Sequence, residues 1–153
     1  MQNCQVQVAD DKQPLEGETK MVKAKDPKSI LIIDDDVDWV EANKIVLEAN
    51  SYKVITAYSG QQGILKFLKF LPDLVILDIS MERRDEGFYV CQKIRTYPNI
   101  GKIPIIMITG IHQSSKFRFS PDIDGSYLPA DELIDKPVNP SLLVQVVNKW
   151  LRK

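Results

Sequence analysis

The chain is poor in the residues that carry most metal, thiol and imidazole chemistry. One histidine, His112, and two cysteines, Cys4 and Cys91, occur among 153 residues. They make no zinc spacing and no disulfide framework, which excludes a structural zinc site and a stapled secreted fold. Cys91 falls in a helical pattern and reads as a small core residue. His112 reads as a loop residue rather than a ligand or phosphate carrier. An excess of charge of one sign is also lacking. Twenty Lys and Arg against 21 Asp and Glu give a net charge of −1, which offers no support for direct nucleic-acid or membrane binding. No apolar stretch approaches the ~18 residues of a membrane span. Residues 1–28 have no signal-peptide core, so a reducing, cytoplasmic location is expected.

What is present is an ordinary globular composition, 44% apolar and 27% charged, in a length that suits one domain with a sizeable core. Residues 1–28 hold five lysines against five acids and few large apolar side chains. Such a stretch cannot bury enough surface to offset its ordering entropy, and a disordered tail is expected there. The globular domain is expected over 29–153.

Four apolar runs end in telling residues. Ile30-Leu31-Ile32-Ile33 ends in Asp34-Asp35-Asp36, and Leu74-Val75-Ile76-Leu77 ends in Asp78. Ile105-Ile106-Met107-Ile108 ends in Thr109, and Leu133-Ile134-Asp135 runs into Lys136-Pro137. Short apolar runs between breakers read as buried parallel strands. A further strand is expected at Tyr52–Thr56. Helical patterns separate them: Asp36 to about Asn50, a second behind the N-cap Ser59 with an inward stripe of Ile64, Phe67, Leu68 and Leu71, and Gly87 to about Arg95. The last follows Asn139-Pro140, with Leu143, Val146, Val147 and Trp150 inward. Strands alternating with helices predict a doubly wound five-stranded parallel sheet of order 2-1-3-4-5. Between Thr109 and Lys136 the periodicity is poor, and Ser120-Pro121 and Asp124-Gly125 are breakers. The fourth helix is expected to be shortened or replaced by a long loop.

In such a sheet the four strand ends meet at the carboxyl edge, where ligands bind. Crowded carboxylates raise one another's pKa unless a cation joins them, and carboxylates with water suit Mg²⁺. Lys136 adds an ammonium and Thr109 a hydroxyl. Together these suit a phosphoryl group, with Asp78 either a metal ligand only or also the nucleophile. Blander readings exist for each residue. Acids at 34–38 also favour a helix N-terminus. Their alternation resembles a calcium loop, but Trp39 at the sixth position and Ile45 at the twelfth exclude one.

Taken in order, Asp34-Asp35, Leu77-Asp78-Ile79-Ser80-Met81, Thr109 and Lys136-Pro137 resemble the receiver domains of response regulators in two-component signalling. The likeness covers about Ser29 to Lys153 and implies a flavodoxin-like fold. It implies Asp78 as phosphoacceptor, and Asp34, Asp35, Asp78 and the Ser80 backbone carbonyl around Mg²⁺. Thr109 and Lys136 would bind phosphoryl oxygens, and the Lys136-Pro137 bond would be cis. The implied partners are a sensor histidine kinase or phosphotransfer protein, docking past Trp39 and Ala42, and an unknown downstream protein. The expectation is a stand-alone, non-enzymatic phosphorelay receiver. Three departures stand out: Met81-Glu82-Arg83-Arg84-Asp85-Glu86-Gly87 lacks the usual proline and has one residue more, Gly110 stands for alanine, and Leu133 stands for the aromatic that usually swings inward. Readout is therefore expected through reordering of 110–130, with Phe117, Phe119 or Tyr127 presented or withdrawn. The rival family is the haloacid-dehalogenase-like phosphatases, whose Asp-x-Asp-x-Val opening Asp34-Asp35-Asp36-Val37 resembles in its two acids, with Asp34 as nucleophile. After Lys136 the late acidic metal motif of that family is missing.

Overall fold

The computed structural model describes residues 26–82, 85–110 and 130–152. The elements are β1 (Ser29–Ile33), α1 (Val37–Ala49), β2 (Lys53–Ala57), α2 (Gly60–Phe70), β3 (Leu74–Asp78), α3 (Glu86–Arg95), β4 (Ile105–Thr109), β5 (Glu132–Asp135) and α4 (Pro140–Leu151). The strands form one parallel sheet in the order β2-β1-β3-β4-β5. That is the 2-1-3-4-5 order expected from the strand–helix alternation. The expected loss of the helix between β4 and β5 concerns residues 111–129, which lie outside the described residues, as do residues 1–25 of the expected tail.

β3 and β4 run through the middle of the sheet, and every residue of both is buried. Alternate strand side chains point to opposite faces, so the sheet divides two cores. On one face Leu31, Ile33, Val75, Leu77, Ile105 and Met107 pack with Phe67, Val90, Cys91 and Ile94 of α2 and α3. On the other, Ile30, Ile32, Ile76, Ile106 and Ile108 pack with Val40, Leu47, Leu143 and Val147 of α1 and α4. Each such side chain contributes roughly 1.5–3 kcal/mol by leaving water.

Local signals set the helix ends. Asp36 caps α1 by accepting from Trp39 N at 3.1 Å, Ser59 caps α2 by accepting from Gln62 N at 3.1 Å, and Asn139 caps α4 by accepting from Ser141 N at 2.7 Å. The inward stripe of α2 differs from the expected one. Gly60, Gly63 and Phe67 face the core, while Leu68 and Leu71 are 39% and 53% exposed. The reason is close approach: a Cβ on Gly63 would lie 2.5 Å from Ile33 Cδ1, so the helix lies on β1 along its glycine side. Leu71, with φ 48°, is the left-handed C-cap and turns out of the helix.

Candidate functional site

Asp34, Asp78, Thr109 and Lys136 follow the ends of β1, β3, β4 and β5, or close them. Parallel pairing puts these ends side by side: Ile33 is in register with Leu77, Asp78 with Ile108, and Thr109 with Asp135. The backbone is pinned across the edge. Asp34 N donates to Ala57 O at 3.1 Å, Ile79 N to Ile108 O at 3.0 Å, and Lys136 N to Thr109 O at 2.7 Å. Lys136-Pro137 is cis, as the family likeness implied.

The side chains meet. One carboxylate oxygen from each of Asp34, Asp35 and Asp78 lies within 4.8 Å of the others, a grouping able to hold a metal ion. Asp34 and Asp78 are buried and Asp35 is exposed. Lys136 Nζ stands 2.9 Å from Asp34 Oδ2 and 3.9 Å from Asp78 Oδ1. Asp34 Oδ1 accepts from the amide of Asp36 at 2.9 Å. Both oxygens of Asp34 are thus engaged by the protein itself.

Among the described residues three carboxylates face one ammonium, and the electrostatics reflect it. Burial pushes the Asp78 carboxyl up from 3.8 to about 7, reinforced by the charge of Asp34 and opposed by Lys136. The Asp35 carboxyl is also raised, first by desolvation and then by Asp34. An ionised cluster of this kind calls for a cation, and the all-oxygen donor set fits a hard divalent one such as Mg²⁺.

Thr109 is 1% exposed at the end of β4. Ser80 donates its backbone N–H to Asp78, a bond that favours the ionised carboxylate. Trp39, one turn into α1, is half-buried, and its ring lies 5.0 Å from Lys136 Nζ. Ala42 is exposed on the same helix. Leu133 is half-buried against the α2–α3 core. The segment 110–130, expected to carry the readout, falls outside the described residues except for Gly110 and Ala130.

One site-forming residue was noted only as part of a motif. Gly87 donates its N–H to Ile79 O at 2.8 Å, and a Cβ there would stand 2.2 Å from the carbonyl oxygen of Asp78. Only glycine lets α3 lie directly on the backbone that carries Asp78. Its neighbour Glu86 accepts from Gly60 N at 2.9 Å, tying the start of α3 to the start of α2. The sequence signal for both was the acidic residue before glycine, and spacing alone did not give them partners.

Among the described residues no helix is long and apolar enough to cross a membrane. The sequence profile of the response regulator receiver domain matches residues 30–148. The chain is 39% identical over 126 residues to response regulator GtcR of Aneurinibacillus migulanus, covering 82% of this chain and 48% of that protein. It is 33% identical over 124 residues to the DNA-binding dual master transcriptional regulator RpaA of Synechocystis, covering 81% of this chain and 49% of that one. The chain thus spans about half the length of these curated relatives. Its fold superposes on the CheY-like receiver domain protein of Methanospirillum hungatei with a TM-score of 0.68, at 28% identity, covering 80% of this chain and 92% of that one. For chemotaxis response regulator CheY4 of Vibrio cholerae the TM-score is 0.69, at 25% identity, with 82% and 99% covered. This chain belongs to the response regulator receiver domain family of two-component systems.

Proposed function

We propose that the protein is a phosphoacceptor. It takes a phosphoryl group onto Asp78 from a histidine kinase or phosphotransfer protein, and it signals by the conformational change that follows. The observation that carries this is the setting of Asp78: a buried carboxylate at a strand end, grouped with Asp34 and Asp35, with Lys136 Nζ 3.9 Å away. An Oδ of Asp78 attacks phosphorus, and the P–N bond of the donor phosphohistidine breaks with its electron pair retained by the imidazole. Lys136 and the Thr109 hydroxyl take the transferred oxygens. Asp34, Asp35, Asp78 and the Ser80 carbonyl would hold Mg²⁺, which supplies charge neutralisation to carboxylates and phosphoryl oxygens when bound. The product is an acyl phosphate whose hydrolysis resets the protein, so this is a switch rather than a turnover enzyme. The cytoplasm, where kinase domains present their phosphohistidine, is its place of action.

Acetyl phosphate with Mg²⁺ tests the assignment. Labelling on Asp78 is expected, with loss of more than 95% in Asp78→Asn (order of magnitude for removal of a nucleophile, roughly 10³-fold or more). Undiminished labelling of that variant, or label on Asp34, would falsify it. Docking of the donor is assigned to the start of α1, at half-buried Trp39 and exposed Ala42. Ala42→Glu is expected to slow transfer from a cognate kinase by about tenfold, from a lost packing contact and like-charge repulsion. Acetyl phosphate labelling should stay intact. Equal slowing with both donors refutes the docking assignment.

A further inference from the structure

We infer that Trp39 is a positioning residue for Lys136, an aromatic seat that keeps the lysine ammonium beside Asp78. This rests on the phosphoacceptor reading above.

The lysine meets both carboxylates and an aromatic ring in this structure. Its Nζ lies 2.9 Å from Asp34 Oδ2 and 3.9 Å from Asp78 Oδ1. It also lies 5.0 Å from the centroid of the Trp39 ring. Indole offers the strongest aromatic face for a cation. Trp39 is well placed to act as a fixed seat. Its backbone N–H donates to the Asp36 side chain at 3.1 Å, and its backbone carbonyl accepts from Asn43 Nδ2 at 2.8 Å. Its ring packs against the α1–α4 core. The lysine stem, by contrast, is a flexible four-carbon chain whose side chain is 24% exposed.

The carboxylates cannot hold Lys136 throughout the reaction. A divalent cation at Asp34, Asp35 and Asp78 satisfies the negative charge that now attracts the ammonium, and it repels the ammonium directly. With the carboxylates as its sole attraction, Lys136 would relax toward water at that moment. The phosphoryl group arrives at the same moment and needs it. The ring of Trp39 is neutral. It neither competes for the metal nor repels it, and its attraction for the ammonium persists when the carboxylates are occupied. The seat thus retains Lys136 within reach of the group on Asp78.

Two measurements test this. In ¹H–¹³C spectra, the ε-methylene protons of Lys136 should be shifted upfield by the indole ring current. The shift should persist in Mg²⁺ with beryllofluoride and vanish in Trp39→Leu. Unshifted protons in the wild type overturn the proposal, whatever the phosphorylation result. The second measurement is the rate of labelling by acetyl phosphate. Trp39→Leu keeps an apolar side chain and loses the ring, and it should slow labelling about fivefold. Trp39→Phe should recover most of the rate, and in a Lys136→Gln background Trp39→Leu should have no further effect. A wild-type rate in Trp39→Leu, or slowing that persists without the lysine, overturns it while leaving the phosphoacceptor reading standing. Failure of the wild type to label at all strikes that reading and this one together, and the ring-current arm then reports whether the seat exists.

Discussion

The two ends of β4 and β5 hold two charge clusters with opposite designs. At the amino edge, Arg95 Nη2 pairs with Asp131 Oδ2 at 2.7 Å, and Nη1 donates to the carbonyls of Gly101 and Ile103 at 2.7 and 2.6 Å. The same Asp131 oxygen accepts from Ile105 N at 2.9 Å. Here a cation meets an anion, and backbone groups add hydrogen bonds to both. At the carboxyl edge, three carboxylates meet one ammonium, and the Asp78 carboxyl is pushed up to about 7. The first cluster closes the α3–β4 loop onto the sheet. Among the described residues the second has more carboxylates than cations, which favours binding a further cation. On the proposed reading, the stabilising and the functional cluster lie at opposite edges of one parallel sheet.

Removing a charge should therefore have opposite signs at the two edges. Arg95→Ala strands the Gly101 and Ile103 carbonyls and leaves Asp131 without its guanidinium. A loss of about 3 kcal/mol in urea unfolding is expected, reduced from the fully buried case because the pair is partly exposed. The loss should be similar at pH 6 and pH 8. A loss below about 1 kcal/mol would mean that the amino edge is not a structural clamp, and the contrast would fail.

Asp78→Asn should stabilise. The folded protein keeps the Asp78 proton up to about pH 7, whereas the unfolded chain loses it near 3.8. Between those values the folded state binds more protons, so this group's contribution to stability falls as pH rises. Below about pH 4 both states are protonated and the substitution is nearly neutral. Above pH 7 the buried charge is fully destabilising, and its removal should gain about 2 kcal/mol. Unfolding curves at pH 4.5 and pH 8 without Mg²⁺ decide this. A gain that does not grow with pH would show that neither burial nor its neighbours strain the Asp78 charge.

The same contrast explains what could be read from the sequence. The carboxyl edge was legible because charged or hydroxyl residues end apolar runs, and a parallel sheet brings strand ends together whatever the loops do. Asp34, Asp35, Asp78, Thr109 and Lys136 could be placed in that way. The amino-edge clamp was not legible. Arg95 and Asp131 are 36 positions apart and carry no motif, and their pairing depends on where the α3–β4 loop lays its carbonyls. The inner face of α2 was misread because glycine registers as neither apolar nor polar. Gly60 and Gly63 act by letting Glu86, Val90 and Ile33 come close, an effect of missing atoms that hydropathy does not record. The seat of Lys136 on Trp39 depends on the rotamer of a side chain from the far end of the chain.

The smallest expected effect lies within the acidic cluster and distinguishes its two adjacent members. Asp34 already gives one oxygen to Lys136 at 2.9 Å and the other to the Asp36 amide at 2.9 Å. Asp35 is exposed, and its raised carboxyl marks a charge without full compensation. A metal that keeps most of its water replaces few ligands, and the freer carboxylate is the better donor. Asp35→Ala should weaken Mg²⁺ binding about tenfold and Asp34→Ala about threefold, differences of roughly 1.4 and 0.7 kcal/mol. The loss in Asp34→Ala has two parts with the same sign. It removes a negative charge, and it releases Lys136 to move nearer Asp78, adding positive charge where the cation binds. Raising the salt concentration should shrink that electrostatic part more than the loss of a direct ligand in Asp35→Ala. Titration of both variants, followed by the fluorescence of Trp39, measures the two constants. Equal affinities, or a greater loss in Asp34→Ala, would mean that Asp34 gives up its internal partners to the metal. The carboxyl edge would then be reorganised on binding rather than simply filled.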